Sequence, residues 1–251
     1  MDIRGTCIAS TTDAHGPIYV YETKKIRILS FDGKIYQSSM KLNNVNGLTL
    51  AYTQAMMVGL LFVPHLKVAS IMGLGAGSMV KNLLHSFPEL KVHAIEYRKT
   101  VANIAKKHFA LPDTDRLSVH ISDAISYMHY PIEKSDIIFS DLYSSEGMEA
   151  KQVQASYLSD CKKNLNEHGV LVLNVCHTTD KLQKDFDRLL LSEFENNILS
   201  FTIEGGNKIV FAFKGNIPSI ATNDLLMKAQ SLQEKNGVAM ARYVELLLVD
   251  N

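Results

Sequence analysis

The sequence predicts an α/β fold, in which a mostly parallel sheet is closed by an antiparallel terminal hairpin and preceded by a small antiparallel β module. Three observations carry this. From residue 67 onward, apolar runs of strand length alternate with amphipathic segments of helical length, the pattern of right-handed crossovers between parallel strands. Near the end of that stretch, Asn197–Ile203 and Lys208–Lys214 are separated only by Glu204-Gly-Gly-Asn207, a turn that forces the last strand to run antiparallel. Ahead of it, residues 15–40 hold short alternating runs bounded by turn residues.

In chain order, Ile18–Glu22 and Ile26–Phe31 read as half-buried strands, with Gly16-Pro17 and Asp32-Gly33 closing them and Asp-Gly supplying a tight turn. A helix is expected over Leu48–Phe62, ended by Pro64. The strands of the main sheet are Val68–Met72, Lys91–Ile95, Leu117–Ile121, Ile137–Ser140 and Val170–Val175, with helices over 77–87, 98–108, 124–129 and 150–166 between them and another over 179–194. The tail from Ser219 to Leu248 reads as helical and broken near Asn236-Gly237. With the terminal hairpin this is the seven-stranded plan of a class I adenosylmethionine-methyltransferase-like Rossmann fold, not of a dinucleotide fold with six parallel strands. The expected division is 1–47 for the β module, 48–216 for the Rossmann-like donor-binding domain and 217–251 for a helical extension.

Composition narrows the function classes. The 251 residues carry 26 Lys+Arg against 26 Asp+Glu, without the basic excess or basic run of chains that coat nucleic acid or an anionic membrane. A hydrophobic fraction of 46% with 21% charged residues fits a globular domain. Cys7, Cys161 and Cys176 are odd in number and share no ligand spacing, which argues against a disulfide framework and for a cytoplasmic protein. The N-terminus carries no cationic region followed by an apolar run, so no secretory signal is expected, and no apolar stretch reaches the ~18 residues a membrane span needs. The nine histidines include no i, i+4 pair beside an acid, so no metal is expected.

The chemistry gathers at predicted strand ends. Gly73-Leu-Gly75-Ala-Gly77-Ser78 closes the first parallel strand and opens a helix, where glycines let a ligand approach the backbone. Glu96 ends the next strand, the place from which an acid accepts hydrogen bonds from ribose hydroxyls. Asp123-Ala124 follows the third strand and suits the edge of an adenine ring, while Asp123 is equally a good helix N-cap. Asp141 follows the apolar run Ile137–Phe139. In an open parallel sheet all four ends face one crevice. The bland readings are a ligand-free glycine turn, a solvated Glu96 and buried cysteines and methionines of the core.

The run from Gly73 to Asn174 resembles the spermidine synthase (polyamine aminopropyltransferase) family. It does so through Gly-Leu-Gly-Ala-Gly-Ser, Ala94-Ile-Glu96, Lys107-His-Phe109-x-Leu-Pro112, Ser122-Asp-Ala124, Ile137-Ile-Phe-Ser-Asp141 and Asn166-Glu-His-Gly-Val-Leu-Val172. Upstream, Phe31-Asp-Gly33, Gln37-Ser38 and Tyr52-Thr-Gln-Ala-Met56 look like that family's N-terminal domain. The resemblance implies a donor that is decarboxylated S-adenosylmethionine or S-adenosylmethionine, a small-molecule amine or polyamine acceptor, no nucleic acid or membrane partner, and a homodimer. It makes Glu96 the ribose ligand, Asp123 with Ala124 the adenine ligands, Gln37 a donor contact, Gly73, Gly75 and Gly77 the glycine cradle, and Asp141 the catalytic base. Tyr52, Tyr143 and Glu146 fall on the acceptor side. The chain departs from the family at Ala76, where the family has the aspartate that holds the donor's amine, and at Ser144, where it has a second acid. Methyl transfer from intact S-adenosylmethionine, or a catalytically silent binding protein, are the alternatives those departures leave open.

Overall fold

The structure, a computed structural model, describes residues 3, 5–144, 147–176 and 180–250. It opens with a four-stranded antiparallel sheet of β1 (Thr6–Asp13), β2 (Gly16–Glu22), β3 (Ile26–Ser30) and β4 (Ser38–Lys41), in that spatial order. The expected module began only at β2. β1 is a mostly exposed edge strand held to β2 by a backbone ladder that runs from Thr6↔Glu22 to Asp13↔Gly16. Asp32-Gly33 does not close a two-residue hairpin as expected, because β3 and β4 are joined by the loop 31–37. Its carboxylate instead caps that loop, accepting from the amides of Lys34 and Ile35 and from the Ser30 hydroxyl. Ile18, Val20, Leu29 and Met40 turn inward and pack on Val101, Ile104, Phe109 and Ala76.

The expected helix over 48–62 is two pieces, α1 (Ala51–Met56) and a buried 3-10 turn over Met57–Phe62. Then come β5 (Val68–Met72), α2 (Ser78–Ser86), β6 (Lys91–Glu96), α3 (Lys99–His108), β7 (Leu117–Ile121), α4 (Ala124–His129) and β8 (Ser135–Ser140). A two-stranded ribbon, β9 (Tyr143–Ser144) and β10 (Gly147–Met148), leads through a 3-10 turn to α5 (Ala155–Asn164). β11 (Leu165–Val175), α6 (Asp180–Glu193), β12 (Ile198–Thr202), β13 (Lys208–Phe213), α7 (Thr222–Asn236) and α8 (Ala241–Asp250) complete the chain. The main sheet has seven strands in the order β12-β13-β11-β8-β5-β6-β7. β13 is antiparallel to both β11 and β12, while β11, β8, β5, β6 and β7 pair in parallel.

Both faces of this sheet are covered, which is why its strands read as continuous apolar runs. Ile137, Phe139, Val170, Val172, Ile209 and Phe211 bury toward α1, α2, α7 and α8. Their neighbours Ile138, Leu171, Leu173, Val210 and Ala212 bury toward α4, α5 and α6. Each fully buried side chain of this size is worth ~1.5–3 kcal/mol, so the two layers hold the register of the central strands β8, β11 and β13. Among the described residues, no helix is long and apolar enough to cross a membrane.

Candidate active site

The chain enters the sheet at β5, adds β6 and β7 on one side, then returns to place β8 on the other. The strand order therefore reverses between β5 and β8, and ligands of open α/β sheets bind beyond the carboxyl ends at such a point. Gly73 and Asp141 sit at that reversal. Three backbone hydrogen bonds carry the ladders past the strands themselves: Gly73 donates to the Ile95 carbonyl at 2.9 Å, Asp141 to Met72 at 3.0 Å and Ser122 to Glu96 at 3.1 Å. They bring Gly73, Glu96, Asp123 and Asp141 side by side along one edge.

Gly73 has φ +96°, and a Cβ there would run into the Asp141 carbonyl oxygen, so only glycine lets the two strand ends meet. Gly77 is the left-handed N-cap of α2, with φ +71°. Between them, the Gly75 amide donates to Glu96 Oε2 at 3.3 Å, while the Arg98 amide donates to Oε1 at 2.9 Å. Burial pushes the Glu96 carboxyl up, against the pull of the Arg98, Gly75 and Leu74 amides. The Arg98 guanidinium does not enter the crevice. It grips Asp13 Oδ1 at 2.8 Å and the Gly16 carbonyl at 2.7 Å, and lies over the Phe31 ring, pinning the β1–β2 turn beside Glu96. Asp123 is the N-cap of α4: its Oδ1 accepts from the Ser126 amide and hydroxyl, each at 2.9 Å. Ala124 is buried in the first turn of that helix. Ala76, fully buried, packs among the inward residues of the N-terminal sheet.

Asp141 has the most elaborate surroundings. Asn174 Nδ2 donates to its Oδ1 at 2.9 Å, and the Tyr52 hydroxyl, which also reaches the Gln37 carbonyl at 3.4 Å, is its second partner. Asp141 keeps a partial opening to the crevice, yet protein encloses it closely enough that burial raises its pKa from 3.8 to about 6, against the two hydrogen bonds. Burial and the Asp141 charge push the Tyr52 and Tyr143 hydroxyls up, so both stay protonated donors. Tyr143 donates to the Asn174 carbonyl at 3.3 Å. Gln37 thus joins Asp141 through its backbone and Tyr52. Glu146 lies outside the described residues; Glu149 follows the ribbon, its amide donating to the Leu142 carbonyl at 2.9 Å.

Sequence reasoning missed the residues that hold Asp141 in place. Asn174 is 1% exposed and interrupts the apolar run of β11, a polar break that was itself the available signal. Gln152 is fully buried, donates to the Asn174 carbonyl at 3.2 Å and accepts from the Ser140 hydroxyl at 3.0 Å. Ser140 meets the Tyr157 hydroxyl at 2.9 Å. Asn207, in the β12–β13 turn, donates to Asn174 Oδ1 at 2.8 Å.

Fold and crevice together define an α/β domain of the methyltransferase-like class. The human Methyltransferase-like protein 13, solved in complex with SAH, superposes with a TM-score of 0.69 at 25% identity, covering 75% of this chain and 93% of that one. A probable spermidine synthase from Corynebacterium glutamicum superposes with a TM-score of 0.77 at 16% identity, over 90% of this chain and 86% of that one. The profile of the spermine/spermidine synthase domain matches residues 49–190, and the chain belongs to that family. The polyamine aminopropyltransferase of Chromobacterium violaceum is 27% identical over 247 residues, 97% of this chain and 94% of its own length.

Proposed function

We propose that this protein transfers an aminopropyl group from decarboxylated S-adenosylmethionine to a small amine, with Asp141 as the base. The observation that carries the reading is Asp141 itself, an acid raised to about 6 and oriented by Asn174 and Tyr52 at the point where the strand order reverses. Glu96 and Asp123 would hold the nucleoside, on the glycine cradle of residues 73–77. The cationic sulfonium suits a crevice edged by three carboxylates, from which the Arg98 guanidinium is turned away into Asp13.

The donor supplies an electrophilic carbon beside a positive sulfur. An alkylammonium acceptor, with a pKa near ~10.4, must lose a proton before its nitrogen can attack. Asp141 accepts that proton; the new N–C bond forms as the C–S bond breaks, and its electron pair stays on sulfur, releasing methylthioadenosine. A placed base of this kind contributes ~10²–10⁴-fold. Tyr52 and Tyr143, kept protonated, would direct the acceptor toward it.

Methyl transfer from intact S-adenosylmethionine is the second reading. It is favoured by Ala76, which puts no acid against a donor carboxylate, and by the likeness to Methyltransferase-like protein 13. Product analysis separates the two: the first reading releases methylthioadenosine from decarboxylated donor and amine, the second S-adenosylhomocysteine from intact donor. Calorimetry showing no binding of either donor or of methylthioadenosine would sink both. The proposal includes a cytoplasmic homodimer, checked by light scattering and by fractionation.

A further inference from the structure

We infer that Asn207, in the turn between β12 and β13, is a positioning residue for Asp141, acting through the side-chain amide of Asn174 to hold the carboxylate in the orientation transfer requires. This rests on the base role proposed for Asp141. Asn174 has one amide set between two neighbours, Asp141 at its NH₂ and Asn207 at its oxygen. The Asp141 carboxylate accepts only, and takes Nδ2–H at 2.9 Å. The Asn207 amide gives Nδ2–H to the Asn174 Oδ1 at 2.8 Å. The acceptor-only Asp141 carboxylate sets which way round Asn174 stands, and Asn207, by donating to the oxygen that then points away from the carboxylate, holds that amide in place. At 1% exposure, Asn174 has no water to compensate a wrong orientation.

The turn is built to present that donor. Gly205 and Gly206 take φ of +100° and +87°, the Ile203 amide donates to the Asn207 carbonyl at 3.0 Å, and the ladder resumes at once with Val175↔Lys208 and Asn174↔Ile209. The antiparallel hairpin that closes the sheet thereby delivers a side chain to its carboxyl edge. Among the described residues, the titratable groups around Asp141 are Tyr52 on α1, Tyr143 on the ribbon and, beyond Tyr143, Cys176 at the end of β11; burial raises all three. They are neutral at pH 7, and the carboxylate is held by hydrogen bonding, from Tyr52 directly and from Asn174 beside it.

The test uses the full chain with ¹³C-labelled aspartate, following the Asp141 carboxyl by NMR titration and assigning it with Asp141→Asn. Asn207→Asp keeps size and removes the donor; Asn207→Ala removes the group without adding charge. Both are expected to raise the Asp141 midpoint, Asn207→Asp by about one pH unit and Asn207→Ala by less. The acid limb of kcat/KM, with decarboxylated S-adenosylmethionine and an aliphatic amine, should move upward with it. A residue that only shaped the turn would lower the melting temperature and leave the midpoint of Asn207→Ala in place, and an unmoved midpoint in that variant overturns the inference, since the added charge of Asn207→Asp raises the midpoint by itself. Turnover that survives Asp141→Asn would overturn the base reading instead, a result the titration does not depend on.

Discussion

Replacing Asp141 with Asn should make the protein more stable while it stops turnover. The carboxyl titrates at about 6 in the fold and near 3.8 outside it, and each tenfold change in proton affinity is worth ~1.4 kcal/mol, so ionising it in place costs about 3 kcal/mol. The sign follows from proton binding. Between about pH 4 and 6 the folded chain holds a proton that the unfolded chain has released, so stability falls as pH rises through that window and is level above it. Asparagine never ionises, and its amide oxygen can still accept from Asn174. The variant should therefore match the wild type at pH 4 and gain up to about 3 kcal/mol by pH 8. For a chain of this size that is roughly 6–12 °C in melting temperature. Differential scanning calorimetry of both proteins across this range reads the effect. A gain that is equal at pH 4 and pH 8, or no gain at all, refutes the reasoning, since only ionisation of a buried acid gives that pH dependence.

Three more outcomes follow from the site. The rate constant kcat/KM should fall tenfold per pH unit below about 6, where Asp141 is protonated; a profile flat from pH 5 to 7 would remove it as base. Asp123→Ala should lose about 1 kcal/mol with the α4 cap, whereas Asp123→Ser should keep the cap and still weaken methylthioadenosine binding by calorimetry; equal affinity in Asp123→Ser would confine Asp123 to capping. Arg98→Ala, which removes the guanidinium from Asp13 and the Gly16 carbonyl while leaving Asp13 the His15 amide, should cost about 2 kcal/mol in urea melts, and an unchanged midpoint would show the clamp to be idle.

Most of the fold was legible because burial on both faces writes itself into sequence as unbroken apolar runs. Val68–Met72, buried at every position, coincides with β5, whereas Leu117–Ile121 coincides with β7 through alternation of apolar and polar residues. β1 was not legible, because Thr6-Cys-Ile-Ala-Ser-Thr-Thr-Asp13 has little apolar alternation and its strand is held by backbone pairing to β2. Asp32-Gly33 misled for a related reason: Asp and Gly favour turns, but whether a turn joins two strands directly depends on where the next strand pairs. At the candidate site, acids and glycines at strand ends stand out because little else explains them. Asn174, Gln152 and Asn207 act on Asp141 only through tertiary contact, across 33 residues for the Asn174 bond, and no local pattern announces them.

The three amides that extend the ladders past β5, β7 and β8 make the floor of the crevice part of the sheet. Such a floor does not breathe separately from the core, so the Gly73, Ser122 and Asp141 amides should exchange hydrogen only as slowly as the sheet opens. It also separates frame from chemistry. Ala76 and Ser144, where the chain departs from the spermidine synthase pattern, are not donors in those three bonds. A backbone edge held in this way keeps its shape when the side chains around it change.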